Sequence, residues 1–123
     1  LEVLPSAQYW EVWTKVPFGF TTWTHRPLGV MVLALAYRTG VAWNESGYSN
    51  PKFDELITKA EGILDPEKRK VVMKDIEELM DEDGPIALPL WRAVFQPFDK
   101  RIKGYHAHPT DYYFAEEWYY EDA

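Results

Sequence analysis

The chain has 123 residues, which fits one domain or one lobe of a larger protein, and its 46% hydrophobic and 27% charged residues indicate a folded rather than a disordered chain. Its net charge of -7 argues against nucleic acid as a partner, since an acidic surface repels phosphate groups. The absence of cysteine excludes disulfides and thiolate chemistry, and the most apolar run, Val30 to Ala36, is shorter than the roughly 20 residues that cross a bilayer.

The start of the chain is predicted to contain a strand, a helix and a second strand. Leu1 to Leu4 is a short apolar strand, and we expect this start to be a cut, because the chain lacks an initial Met and a visible signal peptide. Ser6 is a candidate helix cap, and apolar residues follow it at helical spacing until Pro17 ends the helix. Aromatic residues and threonine then favour a strand from Phe18 to Trp23.

The middle of the chain is predicted to form three helices. Leu28 to Tyr37 is apolar enough to be a buried helix, and Val41 to Ser49 is a polar loop. Asn50 or Ser49 is a good N-cap for one helix and Asp65 for the next, and each helix has proline at its first turn, where the missing N–H costs nothing. Apolar side chains recur at helical spacing behind the two caps: Phe53, Leu56, Ile57, Ala60 and Leu64, then Val72, Ile76, Leu79 and Met80.

The last third of the chain is predicted to return to strands. Ile86 to Leu90 alternates as a strand does, with Pro89 indicating an edge or a bulge, and Ala93 to Phe98 is a candidate partner strand. Arg101 to Tyr105 is a short crossing segment, and the tail behind it is aromatic and acidic without a clear period. Because strands and helices interleave, the sequence predicts an α/β fold.

Signals of catalysis are weak throughout the sequence. It contains no nucleophile elbow, phosphate-binding loop, dinucleotide fingerprint or zinc-protease motif, and its paired carboxylates suit a solvated face. His106 and His108 would share a face of an extended segment, with Asp111 nearby, but a metal needs further donors. We therefore predict a chain that is not an enzyme, with no cofactor and no metal site.

Large aromatic residues in loops are the candidates for ligand binding. Trp23, His25 and Arg26 lie at the end of a predicted strand. The Trp ring could contact an apolar part of a ligand, and the Arg guanidinium could bind an anionic part. Trp43 and Tyr48 lie in the polar loop. Either the loop closes over a ligand, which the two rings would contact, or the rings only anchor the loop to the fold. The competing interpretation for Trp23 and Arg26 is packing against the next helix and an ordinary salt bridge, and the sequence leaves both open.

Four elements occur in an order and spacing that resemble family 5 extracellular solute-binding proteins, the dipeptide-, oligopeptide- and nickel-binding components of ABC importers. The most specific is Y-S-N-P-x-F-D, and the resemblance covers most of the chain from Phe18 onward. The elements are W-N-E-S-G-Y-S-N-P-K-F-D-E-L from Trp43 to Leu56, D-P-E-K-R-K from Asp65 to Lys70, E-D-G-P-I-A-L-P-L-W from Glu82 to Trp91, and K-R-I-K-G-Y from Lys100 to Tyr105, with H-P-T at His108 to Thr110 behind them.

This resemblance implies a fold, a location and a role. The fold would be the two-lobed, type II periplasmic-binding-protein-like one, with residues 1–103 in the second lobe, residues 104–123 returning toward the first lobe, and most of the first lobe absent. The protein would be periplasmic or anchored outside the cell. It would capture a small solute between its lobes and deliver it to the permease subunits of an ABC importer, without chemistry.

One departure from the family concerns the ligand. Peptide-binding members carry an acidic loop whose Asp holds the free amino group of the peptide, whereas this chain has T-T-W-T-H-R-P-L-G from Thr21 to Gly29. Trp23 is retained, but Arg26 brings the opposite charge and favours an anionic or polyhydroxylated solute over a peptide-like one. The alternative hypothesis is a self-associating structural or interaction module that binds no ligand of its own.

Overall fold

The computed structural model describes residues 2–88, 93, 95–108 and 112–121. They form two compact units, one built from Leu1–Trp23 and Leu28–Ile86 and the other from Thr24–Pro27 and Ala87–Ala123. The first is the helical unit and the second is the C-terminal unit. The boundary at Ile86 follows the end of the last helix, and the assignment of residues 1–103 and 104–123 to two lobes stays a prediction.

Three helices build the core of the helical unit: α2 at Gly29–Ala36, α3 at Pro51–Glu61 and α4 at Pro66–Asp83. A shorter helix, α1, precedes them at Ser6–Val12. The predicted helix between Leu28 and Tyr37 is confirmed as α2, and Tyr37 is buried just behind its end. Helix α3 packs against both α2 and α4, so it lies at the centre of the core.

Asn50, one of the two candidates for the first cap, caps α3, and the predicted cap Asp65 is confirmed for α4. The Asn50 side chain accepts hydrogen bonds from the backbone N–H groups of Lys52 at 2.9 Å and Phe53 at 3.3 Å. The Asp65 carboxylate accepts one from the backbone N–H of Lys68 at 2.9 Å. These bonds satisfy donors that a helix leaves without partners in its first turn.

The core is aliphatic apart from Phe53 and Tyr37. Phe53, Ile57 and Ile76 are fully buried between α3 and α4, where side chains three and four positions apart form one face. Leu79 and Met80 are partly buried against this core, as their spacing predicts. The inclusion of Leu64 is wrong: it lies beyond the end of α3 at Gly62 and is 89% exposed, because the helical period no longer applies to it.

The predicted strands of the first 23 residues are not observed. Residues 2–5 and 19–26 have no regular secondary structure, and Leu1 lies outside the described residues. The segment from Phe18 to Trp23 has the composition of a strand, but a strand needs a neighbour, and the Phe20 carbonyl instead accepts a hydrogen bond from the Tyr9 side chain. Ser6 is not a cap either, since α1 has Pro5 at that position and ends at Val12, before Pro17.

The C-terminal unit contains the strands of the described part of the chain. Strand β1 at Ile102–Lys103 pairs antiparallel with β2 at Tyr119–Tyr120, and a 3-10 helix at Ala115–Glu117 precedes β2. Gly104 has φ +76°, and a Cβ there would overlap the Glu117 carbonyl oxygen, so the close approach of the two segments requires glycine.

The late strands predicted at Ile86 to Leu90 and Ala93 to Phe98 are not observed where the structure describes them. Residues 86–88, 93 and 95–98 have no regular secondary structure, and residues 89–92 and 94 lie outside the described part. Exposed Leu88 and Phe95 have no neighbouring strand there to cover them. The α/β architecture of a complete lobe stays a prediction.

Candidate functional site

Five aromatic rings of the helical unit follow one another from α1 to the loop before α3. Ring centroids are 5.2 Å apart from Tyr9 to Trp10, 5.4 Å from Trp10 to Trp13, 6.4 Å from Trp13 to Trp23, and 6.0 Å from Trp23 to Trp43. All four pairs are tilted or edge-to-face, which aromatic quadrupoles favour over flat stacking. We call these five residues the aromatic row.

Helix α1 supplies the first rings of the aromatic row. Tyr9 and Trp10 are consecutive, and Trp13, at the C-cap of α1, lies three positions after Trp10 and so on the same side of the helix. No residue of α1 is buried. The helix is therefore held by its aromatic contacts and its hydrogen bonds rather than by the aliphatic core.

Glu45 ties the aromatic row together through hydrogen bonds. Its Oε1 accepts from the Trp23 indole Nε1–H at 3.3 Å, and its Oε2 accepts from the Thr21 hydroxyl. Since the Thr21 hydrogen points to Glu45, the Tyr9 hydroxyl is the donor to Thr21, and its single hydrogen is shared with the Phe20 carbonyl oxygen at 3.1 Å. One carboxylate thus connects α1, the segment before Trp23 and the loop that carries Trp43.

Asn44 fixes the loop between α2 and α3, and with it the two neighbouring site residues Trp43 and Glu45. Its side-chain Nδ2 donates to the carbonyl oxygens of Arg38 at 3.2 Å and Tyr48 at 2.7 Å. Its Oδ1 accepts from the Tyr48 backbone N–H at 3.2 Å and from the Ser46 hydroxyl at 2.9 Å. An asparagine with four bonds to its own loop enforces a single loop conformation.

The structure brings together two of the five predicted ligand-binding residues, Trp23 and Trp43, and it places Tyr48 elsewhere in the helical unit. The Tyr48 ring packs edge-to-face on Phe53 with centroids 5.5 Å apart, and its hydroxyl donates to the Asp83 carboxylate at 3.2 Å. Desolvation by its surroundings, followed by the bond to Asp83, raises the pKa of Tyr48 above its ordinary value. The Tyr48 side chain holds the loop against the end of α4. Of the two interpretations of Tyr48, this contact favours the structural one.

His25 and Arg26 belong to the C-terminal unit, in its segment Thr24–Pro27. The Arg26 guanidinium donates to the Thr24 hydroxyl at 2.7 Å and lies 3.4 Å from the His25 carbonyl oxygen. The His25 side chain is exposed and that of Arg26 is partly buried. These contacts are local, and a role for either residue in binding a ligand stays a prediction.

Sequence reasoning missed Glu45, Thr21, Tyr9 and Trp13. Trp13 lies among the apolar residues at helical spacing between Ser6 and Pro17, and Glu45 lies in the polar loop from Val41 to Ser49. No local signal marks Glu45, because its partners Thr21 and Trp23 are more than twenty positions away.

A second concave surface lies within the C-terminal unit. A cavity of about 360 Å³ is lined mainly by aromatic and apolar side chains. Phe98, Tyr105 and Trp118 form part of its wall, with centroids 4.5 Å apart from Phe98 to Tyr105 and 5.8 Å from Tyr105 to Trp118. Trp91 and Arg92, which directly follow the predicted strand from Ile86 to Leu90, lie outside the described residues.

The histidine pair of the tail is packed among aromatic rings. His106 stacks on Phe114 with centroids 5.2 Å apart and has its Nδ1 at 3.6 Å from the Glu117 carboxylate, and His108 also contacts the Phe114 ring. Asp111 lies outside the described residues. The described part of the chain contains no group of three side chains suited to hold a metal, and no helix in it is both long and apolar enough to cross a membrane.

The chain is similar to the dipeptide-binding protein DppE of Bacillus subtilis (strain 168), with 30% identity over 77 residues. The matched residues are 63% of this chain and 14% of that protein, so the chain corresponds to a small part of its relative. No protein-family model and no solved structure matches the chain. The similarity is thus partial and distant, and it is to a protein named for binding a solute rather than for a reaction.

Proposed function

We propose that this chain is part of the solute-binding component of an ABC importer, and that the aromatic row forms part of the surface that captures the solute. The whole protein would act outside the cytoplasm and pass its solute to a membrane permease. The observation that carries the proposal is the pair Trp23 and Trp43, with ring centroids 6.0 Å apart and the Glu45 carboxylate hydrogen-bonded at its edge.

The exposure of Trp43 and the ordered loop that carries it suit a binding surface. Trp43 is 48% exposed, and the loop that carries it is held by the hydrogen bonds of Asn44. Its indole ring is therefore partly open to solvent at an ordered position of the chain. Rings that are preorganised lose little conformational entropy when they bind a ligand. The partial similarity to a dipeptide-binding protein supports the same role.

The wider architecture is part of the same proposal. The helical unit would contribute to the second lobe of a two-lobed binding protein, and the C-terminal residues would return toward the first lobe. The solute would be trapped when the two lobes close. Peptide-like, anionic and polyhydroxylated solutes are the classes to be compared.

The test is a thermal-shift screen of the whole protein that contains this chain, against peptides, sugars, organic acids and phosphonates. A solute at about 100 times its Kd stabilises the native state by about 2.7 kcal/mol and raises the melting temperature. We expect Trp43→Ala to weaken binding about tenfold, which corresponds to about 1.4 kcal/mol. Phe18→Ala is the matched control, because Phe18 is an exposed aromatic residue outside the row.

Two results would contradict the proposal. A screen in which no solute of any class raises the melting temperature argues against a solute-binding role. A solute that binds Trp43→Ala as tightly as the original protein shows that the row is not the binding surface.

A self-associating module is the second candidate, and one observation favours it. Phe18 and Phe20 of the helical unit are 90% and 77% exposed, and such side chains in solution favour association. Light scattering on the screened sample decides between the two. A dimer that Phe18→Ala dissociates, in a sample that binds no solute, would support association as the function.

A further inference from the structure

The cavity of the C-terminal unit is surrounded by side-chain contacts that continue from one wall to the other. Ring centroids are 4.5 Å apart from Phe98 to Tyr105 and 5.8 Å from Tyr105 to Trp118. The Trp118 ring lies 6.0 Å from that of Tyr113, whose hydroxyl accepts a hydrogen bond from the Gln96 side-chain Nε2 at 3.1 Å. Since Gln96 is two positions before Phe98, the contacts return to the segment where they began.

The short sheet of the C-terminal unit holds the two sides of this wall together. Ile102 of β1 lines the cavity, and Trp118 lines it directly before β2, the strand that pairs with β1. The turn behind β1 approaches the Glu117 carbonyl so closely that only Gly104 fits there. The wall is therefore built by paired backbone, and a preorganised wall loses little conformational entropy when it binds a ligand.

The lining of the cavity is neutral wherever the structure describes it. Arg101, which precedes Ile102 in the chain, donates to both oxygens of the Asp99 carboxylate, at 3.1 and 2.9 Å. Lys103, which follows Ile102, pairs with Glu121 at 3.2 Å. A charged ligand would give up its water in the cavity without gaining a partner of opposite charge among these lining residues, so the cavity suits a neutral one.

The rings of the wall suit an aromatic ligand of limited size. Their planes are inclined to each other by 49° to 85°, so they present both faces and edges, which a further ring can contact favourably. Phe98 and Tyr113 are 50% and 53% exposed, which leaves surface for such contacts. An apolar cavity of roughly 150 Å³ holds one benzene molecule. The volume of about 360 Å³ therefore has room for two fused rings.

We propose that this cavity is a binding site for a neutral aromatic molecule of one or two rings. The rings of the wall contact the ligand, and the Tyr113 hydroxyl, which accepts from Gln96, donates its own hydrogen to an oxygen or nitrogen of the ligand. The site consists of other residues than the aromatic row, so it goes beyond the proposed function and does not depend on it. The competing occupant is a side chain from another part of the whole protein, which would leave no space for an added molecule.

Three matched probes test the chemical class of the ligand. At neutral pH, 2-naphthol is uncharged and aromatic, decahydro-2-naphthol is uncharged and saturated, and 2-naphthoate is an aromatic anion. Their Kd values for the whole protein that contains this chain are measured by isothermal titration calorimetry. We expect 2-naphthol to bind at least tenfold more tightly than the saturated alcohol, which lacks ring faces, and than the anion, which lacks a partner for its charge.

Tyr113→Ala removes one ring and one polar group from the wall, and we expect it to weaken 2-naphthol binding at least tenfold. Tyr112→Ala is the matched control, because Tyr112 is the preceding residue, is similarly exposed at 59%, and does not line the cavity. It should change the affinity less than twofold. Ile102→Phe is a second variant that keeps the Tyr113 contacts and fills part of the cavity, and it should also weaken binding at least tenfold.

The outcomes separate this site from the aromatic row. No binding of 2-naphthol, equal affinities for the three probes, or binding that both Tyr113→Ala and Ile102→Phe leave intact would overturn the inference. Binding that is lost in Trp43→Ala but kept in Tyr113→Ala would place the probe at the row, which overturns the inference and supports the proposed function. The comparison of probes in the original protein needs no variant, so it holds even where a substitution prevents folding.

Discussion

The helical core and the aromatic row belong to the same unit, but they hold their large side chains in opposite ways. Phe53, Ile57 and Ile76 of the core are fully buried by neighbouring helices. In the row, Trp10 and Trp43 leave about half of their surface exposed, at 52% and 48%. The core is positioned by packing between capped helices. The row is positioned mainly by hydrogen bonds between distant parts of the chain, and of its five rings Trp23 also packs against the core. Substitutions in the core should therefore change stability, and those in the row should change binding.

The largest expected effect is on the core. Ile57→Ala removes a fully buried side chain between α3 and α4 and leaves a cavity, which lowers the free energy of unfolding by about 2–5 kcal/mol. The measurement is urea unfolding followed by circular dichroism. Val71→Ala on α4, at 66% exposure, is the control and should change stability by less than about 0.5 kcal/mol.

The same variant sharpens the comparison when solute binding is also measured. Ile57→Ala should keep the affinity of the original protein at a temperature where it remains folded, because Ile57 belongs to the core and not to the row. A large loss of affinity in the folded variant would mean that the core and the row are not independent.

The next largest effect is expected at Asn44, which joins the two regions. Asn44→Ala removes four hydrogen bonds inside the loop. We expect it to lower the free energy of unfolding by about 2 kcal/mol, because none of these bonds is fully buried and each should contribute near the lower end of about 0.5–1.5 kcal/mol. It should also weaken solute binding, because Trp43 and Glu45 on either side of it lose their fixed positions.

Ser46→Ala is the control for Asn44→Ala. Ser46 lies in the same loop and is exposed, and its hydroxyl donates to Asn44 at 2.9 Å and accepts from the Tyr48 N–H at 3.2 Å. Its loss should cost less stability and leave binding nearly unchanged. If Asn44→Ala lowers stability but not affinity, the loop does not position the site.

The parts of the fold that depend on near neighbours could be predicted from the sequence. Asn50 and Asp65 cap their helices through backbone groups two or three residues away, so the determining partners are visible in the local sequence. Leu64 was placed wrongly because the periodic pattern was extended past Gly62, where the helix ends. Phe18 to Trp23 was placed wrongly because strand composition does not supply the neighbouring strand that a ladder needs.

The candidate site could be predicted only in part, because some of its residues are brought together by contacts between distant parts of the chain. Trp23 and Trp43 were identified as large aromatic residues in loops, but Glu45 receives its hydrogen bonds from residues 22 and 24 positions away. Contacts over such distances depend on the tertiary fold rather than on local propensity. Tyr48 could not be separated from the site by sequence, because its partners Phe53 and Asp83 are also set by the packing of α3 and α4.

The smallest expected effect is the influence of the Glu45 charge on the pKa of Tyr37, a buried residue of the core. Burial, and next the negative charge of Glu45, raise the pKa of Tyr37 above its ordinary value of 10.0. Because the folded-state pKa lies above the unfolded one, the stability contributed by neutral Tyr37 is fully present below about pH 10 and is lost as the pH rises through the folded pKa. Urea unfolding between pH 8 and pH 11 should therefore show a smaller alkaline loss of stability in Tyr37→Phe than in the original protein.

Glu45→Gln tests whether the row contributes to this effect. Without the carboxylate charge, the pKa of Tyr37 should remain raised by burial but by less, so the alkaline loss should fall between that of the original protein and that of Tyr37→Phe. Glu55→Gln, on the exposed face of α3, should leave the loss unchanged. An equal loss in Glu45→Gln and the original protein would show that the charge of Glu45 does not affect the pKa of Tyr37. The two regions would then be electrostatically separate although Trp23 of the row packs against the core.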